Sequence, residues 1–210
     1  MKTVKIPSEG YGSNCWLIIS GEEYVIIDPS AQLKSMLERI EQRGLNKENL
    51  KYVLLTHGHF DHILGADDIR EETGAPLLVH ELDADCLYDP SKNLFKYFFR
   101  EDLILNKAEN VLHDGDEIHF GNEKLTVMHT PGHTVGSVCY ISDTAVYSGD
   151  TLFDLGIGRT DLPGGDPAVQ LDSLKKLMKL SGELELYPGH GSLSTMQKQF
   201  DYNPYLKGLK

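Results

Sequence analysis

The stretch Thr56-His57-Gly58-His59-Phe60-Asp61-His62 places three imidazoles and one carboxylate within six residues. It reads H-x-H-x-D-H and follows a strand-like run at 52–55. On a helix, His57 and His59 would point to different faces, since only residues three or four positions apart meet there. On a loop that leaves a strand, these two imidazoles can converge on one point. Asp61 and His62 then reach a second point, so the stretch predicts a site for two metal ions.

The alternative is a polar turn without metal, in which Asp61 caps a helix that begins near His62. Aspartate is a common cap because its side chain accepts a hydrogen bond from a free backbone N–H group. Three imidazoles and a carboxylate are nevertheless costly to place together unless something binds them. The spacing therefore favours the metal site.

The overall composition is typical of a soluble globular chain, with 40% apolar and 25% charged residues over 210 positions. This length predicts one domain spanning 1–210. The net charge of -12 argues against a nucleic-acid partner, because binding to a phosphate backbone needs lysine and arginine. Three cysteines without CxxC spacing indicate reduced thiols. The polar N-terminus and the lack of a long apolar run predict a cytoplasmic protein with no membrane partner.

Hydrophobic patterns along the chain predict a mixture of strands and helices. The predicted strands lie at 15–19, 24–27, 52–55, 77–79, 117–120, 124–129, 137–141, 145–148 and 184–187. The predicted helices lie at 32–43, 63–73, 166–180 and 195–200, with shorter helical pieces within 81–107. Each half runs strands first, then helix and strand. We therefore predict an α+β fold in which two sheets pack face to face with helices outside, a four-layer αββα sandwich.

Three later motifs add further metal-binding side chains, each just past the end of a strand-like run. His133 lies in Thr130-Pro131-Gly132-His133-Thr134, and Asp150 lies in Ser148-Gly149-Asp150-Thr151. His190 repeats the Pro-Gly-His arrangement in Tyr187-Pro188-Gly189-His190-Gly191. Strands of a sheet can end at one edge, so these distant segments can deliver their side chains to a single site.

These motifs, in this order from Asp28 to His190, resemble those of the metallo-β-lactamase superfamily, and within it the compact bacterial glyoxalase II-like hydrolases. The resemblance covers almost the whole chain. It implies that Asp28 supports a ligand without binding metal itself. It also implies one metal held by His57, His59 and His133, a second held by Asp61, His62 and His190, and Asp150 as the bridge between them.

The implied ligand set suits two divalent metal ions, for which we expect zinc, while iron and manganese suit the same donors. Two cations that share Asp150 are expected to share a water, whose pKa falls from 15.7 toward roughly 7. The hydroxide would attack a carbonyl, with Asp61 orienting it. A thiolate leaves with little protonation, so we expect a glyoxalase II-type thioesterase acting on a small-molecule thioester, with Asp61 and Asp150 as catalytic residues.

A glycine-rich run at 151–166 follows Asp150 directly, which suggests a loop passing close to the site. Arg159 in this run can bind a substrate carboxylate, or it can form an ion pair with Asp154 or Asp161 that fixes the loop. The longer glyoxalase II enzymes grip glutathione with basic residues of a C-terminal helical domain. After His190, this chain has only Lys198, Lys207 and Lys210, which leaves the thiol carrier open.

A second enzyme class fits part of the same pattern. Mononuclear iron persulfide dioxygenases share the H-x-H-x-D-H stretch and a Gly-Arg-Thr-Asp run like 158–161, and they would use His57, His133 and Asp150. Other hydrolases of the superfamily, such as phosphodiesterases or lactonases, are further alternatives. The aromatic cluster at 95–99 is interpreted as a satellite core or as one wall of a substrate pocket. The histidines outside the motifs, His80, His113, His119 and His129, are expected to be exposed or hydrogen-bonded.

Overall fold

The computed structural model describes residues 1–8 and 12–209, and within them twelve strands form two six-stranded sheets. The first sheet contains, in spatial order, β1 (Lys2–Ile6), β2 (Cys15–Ser20), β3 (Glu23–Ile27), β4 (Leu50–Leu54), β5 (Leu77–His80) and β6 (Asn110–Leu112). The second contains β7 (Glu117–Phe120), β8 (Glu123–His129), β9 (Val138–Ile141), β10 (Ala145–Gly149), β11 (Glu185–Pro188) and β12 (Ser194–Thr195). Its spatial order is β12-β11-β10-β9-β8-β7.

Among the described residues, five helices lie between strands in the chain and two follow β12. They are α1 (Leu33–Gln42), α2 (Phe60–Ile63), α3 (Ala66–Thr73), α4 (Phe95–Phe99), α5 (Pro167–Leu177), α6 (Met196–Tyr202) and α7 (Pro204–Lys207). Two 3₁₀ segments span Lys47–Asn49 and Glu81–Leu87. The pieces predicted within 81–107 thus correspond to one 3₁₀ segment and to α4.

The single helix predicted at 63–73 is wrong in one respect, because the structure breaks it into α2 and α3 around Gly65. The Gly65 N–H donates to the Pro29 carbonyl at 2.8 Å, and a Cβ at this position would lie 2.4 Å from the Ala31 carbonyl oxygen. The break therefore comes from close packing against the loop after β3, which the helical pattern alone does not contain.

Three apolar clusters separate the layers and explain the sandwich. Along β2, Trp16 and Ile18 pack between the two sheets, while Cys15 and Leu17 pack on the opposite face. This period of two is the ordinary pleat of a strand. The opposite face of the first sheet is covered by α1 and α3, and that of the second by α5, α6 and α7. The predicted four-layer αββα arrangement is confirmed.

Strand direction decides where the loops gather. In the first sheet, β3 and β4 run parallel, so both end at the same edge. In the second sheet, β10 and β11 run parallel, and β8 runs the same way because it pairs antiparallel with β9, as β10 does. The carboxyl ends of such strands are where open sheets commonly place binding sites.

Candidate metal centre

Five chain segments meet at one edge of the sandwich, each leaving the carboxyl end of a strand. Asp28 directly follows β3, the 56–62 stretch follows β4, and His133 lies four residues after β8. Asp150 directly follows β10, and His190 lies two residues after β11. The structure therefore brings together all seven side chains that the sequence assigns to metal binding.

The first group of ligand atoms belongs to His57, His59 and His133, whose candidate atoms lie within 4.8 Å of one another. All three side chains are buried. Nε2 of His133 lies 2.9 Å from Nδ1 of His59. Nε2 of His57 is buried, and it has no hydrogen-bond partner among the described residues. Buried polar atoms are nearly always paired, so this nitrogen fits the role of a metal ligand.

The second group consists of Asp61, His62 and His190, which again place one atom each within 4.8 Å. Nε2 of His190 lies 3.2 Å from an Asp61 carboxylate oxygen and 3.2 Å from Nε2 of His62. Two imidazole nitrogens and one carboxylate oxygen converge at this point. This donor set fits a divalent transition metal.

Asp150 lies between the two groups. One of its carboxylate oxygens is 3.5 Å from Nε2 of His133 and 3.5 Å from Nε2 of His190. The other oxygen is 3.4 Å from Nε2 of His62, and it is buried without a hydrogen-bond partner among the described residues. A single carboxylate thus faces ligands of both groups, and the residues present fit a pair of metal ions.

The electrostatics of the cluster separate its histidines into two kinds. Burial lowers the pKa of His57 and of His59 well below the ordinary value, and neighbouring imidazoles lower both further. These rings stay neutral and can bind a metal directly. Burial also opposes charge on His62, but Asp61, Asp150 and Asp28 outweigh it and raise the His62 pKa to about 10. A metal ion would take the place of that proton, because both are cations drawn by the same carboxylates.

The carboxylate of Asp61 has the complementary environment. Burial tends to raise its pKa, but the adjacent His62 and His190 lower the pKa well below its usual range. Asp61 therefore stays ionised and able to bind a cation. It does not cap the helix, as the metal-free alternative required, because α2 begins at Phe60 with His59 at the cap position.

Asp28 supports the 56–62 stretch through hydrogen bonds to Thr56. Its Oδ1 accepts a hydrogen bond from the Thr56 N–H at 2.8 Å, and its Oδ2 accepts one from the Thr56 hydroxyl at 2.7 Å. The same Oδ2 lies 2.9 Å from Nδ1 of His62. Asp28 has a φ of 51°, which is uncommon for a residue other than glycine and tends to occur at functional sites. The residue lies where a support for a ligand was predicted.

Comparison with known proteins agrees with this geometry. A family model described as the metallo-beta-lactamase superfamily matches residues 9–190. This chain belongs to the metallo-β-lactamase superfamily. Its relatives include the probable metallo-hydrolase YqgX of Bacillus subtilis, at 34% identity over 100% of this chain and 99% of the relative. They also include the hydroxyacylglutathione hydrolase GloC of Haemophilus influenzae, at 31% identity over 96% of each chain.

Solved structures of the superfamily are also similar. BLEG-1 B3 metallo-beta-lactamase superposes with a TM-score of 0.92 at 32% identity, covering 99% of this chain and 100% of the other. TTHA1623 in a di-iron-bound form gives a TM-score of 0.82 at 32% identity, with 97% and 100% covered. ETHE1 from Myxococcus xanthus gives 0.79 at 27% identity, with 99% and 85% covered. The superfamily binds divalent metals, and the described residues of this chain include a histidine–aspartate cluster that could hold them.

Several side chains that support this superfamily site were not predicted from the sequence. Asp83 is buried, and its carboxylate accepts hydrogen bonds from the Gly58 N–H at 3.0 Å, the Thr134 hydroxyl at 2.7 Å and the Gly136 N–H at 2.8 Å. It therefore ties the loop of His59 to the loop of His133. The sequence around Asp83 shows no clear pattern. It does not reveal this role of Asp83, because the hydrogen-bond partners are 25 to 53 residues away.

The loop before β2 supports the other side of the centre. The Ser13 hydroxyl donates to the Asp61 carbonyl at 2.5 Å. The Asn14 side-chain amide donates to the Pro188 carbonyl at 2.9 Å and to the Gly191 carbonyl at 3.1 Å, on either side of His190. These contacts position His190 from a segment nearly 180 residues earlier in the chain.

A cavity of about 670 Å³ opens onto the metal centre, and Arg159 lies on its wall. The Arg159 guanidinium makes a two-point ion pair with Asp161, at 2.7 Å from Nε and 2.8 Å from Nη2. The ion-pair alternative is thus present in the structure, with Asp161 as the partner. The Arg159 carbonyl oxygen also accepts a hydrogen bond from Nδ1 of His133 at 2.8 Å, which orients that ligand. A contact between Arg159 and substrate stays a prediction.

Two of the basic residues after His190 contact other side chains of the chain. The Lys198 ammonium pairs with Asp154 at 2.8 Å, and the Lys207 ammonium lies over the Tyr202 ring. Lys210 lies outside the described residues.

The histidines outside the motifs behave as expected, since His113 and His119 are exposed and near acidic groups, and His80 accepts a hydrogen bond from the Leu82 N–H. In the described part of the chain, no helix has the length and apolar character to cross a membrane.

Proposed function

We propose that this protein is a binuclear metal-dependent hydrolase of thioesters, of the glyoxalase II type. The observation that carries the proposal is the position of Asp150 between two groups of three ligands. His57, His59 and His133 would hold one ion, Asp61, His62 and His190 would hold the other, and Asp150 would bridge them. We expect zinc in both positions, and iron in both is the alternative that the di-iron form of TTHA1623 suggests.

Two divalent cations bound there would lower the pKa of water toward roughly 7 and would polarise the substrate carbonyl. The residues of the chain supply orientation. Asp28 fixes the ring of His62, and the Arg159 carbonyl fixes that of His133. Asp61, which is ionised and lines the cavity, would accept a hydrogen bond from the attacking water. A thiolate departs without a strong general acid, which suits a site in which the buried His57 and His59 stay neutral.

The thiols of the chain do not offer a competing nucleophile. Burial raises the pKa of Cys15 to about 12 and that of Cys139 to about 11. Burial raises the pKa of Cys86 as well. A thiol with a raised pKa is inert, because the thiolate is the reactive form. Covalent catalysis by cysteine is therefore disfavoured relative to direct attack by water.

The relatives support hydrolysis in general and thioester hydrolysis in one case. YqgX is described as a probable metallo-hydrolase, and GloC as a hydroxyacylglutathione hydrolase. The cavity next to the metal centre has the size of a site for a small molecule. These observations support a small-molecule thioester as the substrate.

An iron persulfide dioxygenase is the second candidate. It would need only His57, His133 and Asp150, and these residues also lie together, with Asp150 at 3.5 Å from His133. It would leave the three-residue group of Asp61, His62 and His190 without a metal. Because those three ligands are as well gathered as the first three, the binuclear hydrolase explains more of the site.

The test is a thiol-release assay on metal-loaded protein, with S-D-lactoylglutathione and a neutral acyl thioester as substrates. Hydrolysis of either supports the proposal, and the Asp150→Asn variant should lose more than about 100-fold in kcat/KM. Asp172→Asn is the matched control, because Asp172 is an exposed aspartate on α5 and should leave the rate unchanged. Oxygen uptake with glutathione persulfide, together with no hydrolysis of either thioester, would instead establish the dioxygenase.

A further inference from the structure

Three phenylalanines line one part of the cavity, and we define Phe60, Phe98 and Phe99 as its aromatic wall. The Phe60 ring lies 5.6 Å from that of Phe98 and 5.5 Å from that of Phe99, in the tilted and edge-to-face geometries that aromatic pairs prefer. Phe60 is buried, whereas Phe98 keeps 50% of its surface exposed. An exposed apolar ring beside a cleft indicates a surface that can bind an apolar ligand, because burying the ring is energetically favourable.

Hydrogen bonds through Asn93 connect Phe60 to the helix α4, which carries Phe98 and Phe99. Asn93 is fully buried, and its carbonyl oxygen accepts a hydrogen bond from the Phe60 N–H at 2.9 Å. Its side-chain oxygen accepts one from the Phe95 N–H at 3.0 Å, at the start of α4. Leu94 and Arg100, on either side of α4, have φ values of 69° and 58°. Strained backbone of this kind persists where the surroundings demand one conformation, and it tends to occur at ligand clamps.

The charged side chains that line the cavity are already engaged with other groups of the chain. Asp61 and Asp150 belong to the metal centre. Among the described residues that line the cavity, Arg159 is the one arginine or lysine, and its guanidinium pairs with Asp161 through two nitrogens. Further apolar side chains complete the lining, and these are Leu94, Phe153, Ile157 and Leu162. The surface next to the metals therefore favours an uncharged, apolar group.

From this arrangement we infer that the aromatic wall binds the acyl group of the substrate, and that this group is apolar, either an alkyl chain of several carbons or an aromatic ring. The inference rests on the proposed function, because it takes the thioester carbonyl to lie at the metal centre. Phe98 is the residue that sets the preference, since it is the most exposed member of the wall. A small hydroxyacyl group such as lactoyl would contact less of the Phe98 ring than a longer chain would.

A binding measurement tests the inference without any turnover. Calorimetric titration would compare S-octyl-N-acetylcysteamine with S-ethyl-N-acetylcysteamine, two neutral thioethers that cannot be hydrolysed. We expect the octyl compound to bind at least about tenfold more tightly, because each buried methylene contributes about fourfold. Equal affinity of the two thioethers for the wild-type protein would overturn the inference.

Variants of α4 assign the effect to the wall. Phe98→Ala should lower the octyl-to-ethyl affinity ratio at least about tenfold, and Phe98→Leu should retain most of the ratio because it keeps apolar contact. Tyr97→Ala is the matched control, since Tyr97 is the neighbouring aromatic residue, is 71% exposed and does not line the cavity. An equal loss in the Tyr97→Ala and Phe98→Ala proteins would contradict a role for Phe98.

Kinetics with acyl-N-acetylcysteamine thioesters separate this inference from the proposed function. We expect kcat/KM to rise at least about tenfold from acetyl to octanoyl. Hydrolysis at equal rates for both chains would support the thioesterase and refute the apolar acyl site. A lack of hydrolysis of any thioester, together with tight octyl binding that Phe98→Ala abolishes, would refute the thioesterase and keep the apolar site.

Discussion

Asp28 and His62 form a buried pair, in which a carboxylate oxygen of Asp28 lies 2.9 Å from Nδ1 of the imidazole. The two residues are 34 positions apart and follow neighbouring parallel strands, β3 and β4. This contact turns Nε2 of His62 toward His190 and Asp150. The orientation of a predicted metal ligand is thus fixed by a residue outside the predicted ligand set, as is common for histidine ligands.

We predict that Asp28→Asn weakens the second metal site by about 10- to 100-fold in affinity, because the amide no longer offers a charged acceptor to the imidazole. Asparagine tolerates a positive φ, so the backbone at this position should be kept. Competition with a chromogenic chelator would measure both affinities. Asp68→Asn is a control, because Asp68 is exposed on α3. An unchanged second site would show that Asp28 does not orient His62.

Asp83 is predicted to contribute strongly to stability. Asp83→Ala leaves the buried N–H groups of Gly58 and Gly136 without their acceptor, and each such loss costs about 1–3 kcal/mol. We expect the free energy of unfolding to fall by on the order of 3 kcal/mol in urea denaturation. Asp85→Ala, two residues away, removes only a partly exposed ion pair with Lys92 and should cost less than about 1 kcal/mol. Similar losses in the two variants would contradict the role of Asp83.

Gly189 is predicted to tolerate no side chain. A Cβ at this position would lie 2.2 Å from a carboxylate oxygen of Asp150 and 2.9 Å from Cε1 of His62. Gly189→Ala must therefore displace the predicted bridging ligand, and a shift of about 1 Å at a catalytic centre can cost about 100-fold in rate. Elemental analysis and the thioesterase assay would measure the loss. Gly208→Ala should have no effect, because nothing lies within 4 Å of a Cβ there.

Features of the candidate metal centre that adjacent residues encode could be predicted from the sequence. Features that depend on contacts between distant residues could not. The H-x-H-x-D-H stretch displays four donors within six positions, and Pro-Gly-His marks the later histidines. Asp83 is invisible in the sequence, because its importance lies in its partners on two other loops.

The fold follows the same rule. The strands of the sheet centres carry continuous apolar runs, and the sequence predicted them. β1 was not predicted, because only Val4 and Ile6 are buried and Lys2 and Lys5 face solvent at the sheet edge. The break at Gly65 depends on Pro29 and Ala31, which lie more than 30 residues earlier.

A stacked histidine pair outside the metal centre predicts acid sensitivity. The rings of His80 and His129 lie 4.1 Å apart at an interplanar angle of 11°. Burial, and then the charge of His129, lower the His80 pKa from 6.5 to about 4. The unfolded chain takes up this proton near pH 6.5 and the folded chain only near pH 4. Stability from this residue is therefore full above pH 6.5 and is lost as the pH falls toward 4.

Urea denaturation between pH 7 and pH 4 would measure this loss, which is at most about 3 kcal/mol for a single group. His80→Asn should flatten the slope across this window, whereas His119→Asn should keep the wild-type slope because His119 is exposed. Identical slopes in the wild-type and His80→Asn proteins would show that other groups cause the acid sensitivity.

The number of metal ions per chain tests the central claim most directly. Elemental analysis of the purified wild-type protein should give two metal ions per chain. His190→Ala should give about one, because it removes a ligand of the second ion and leaves His57, His59 and His133 in place. A single metal ion in both proteins would contradict the binuclear centre and would favour a site built from His57, His133 and Asp150 alone.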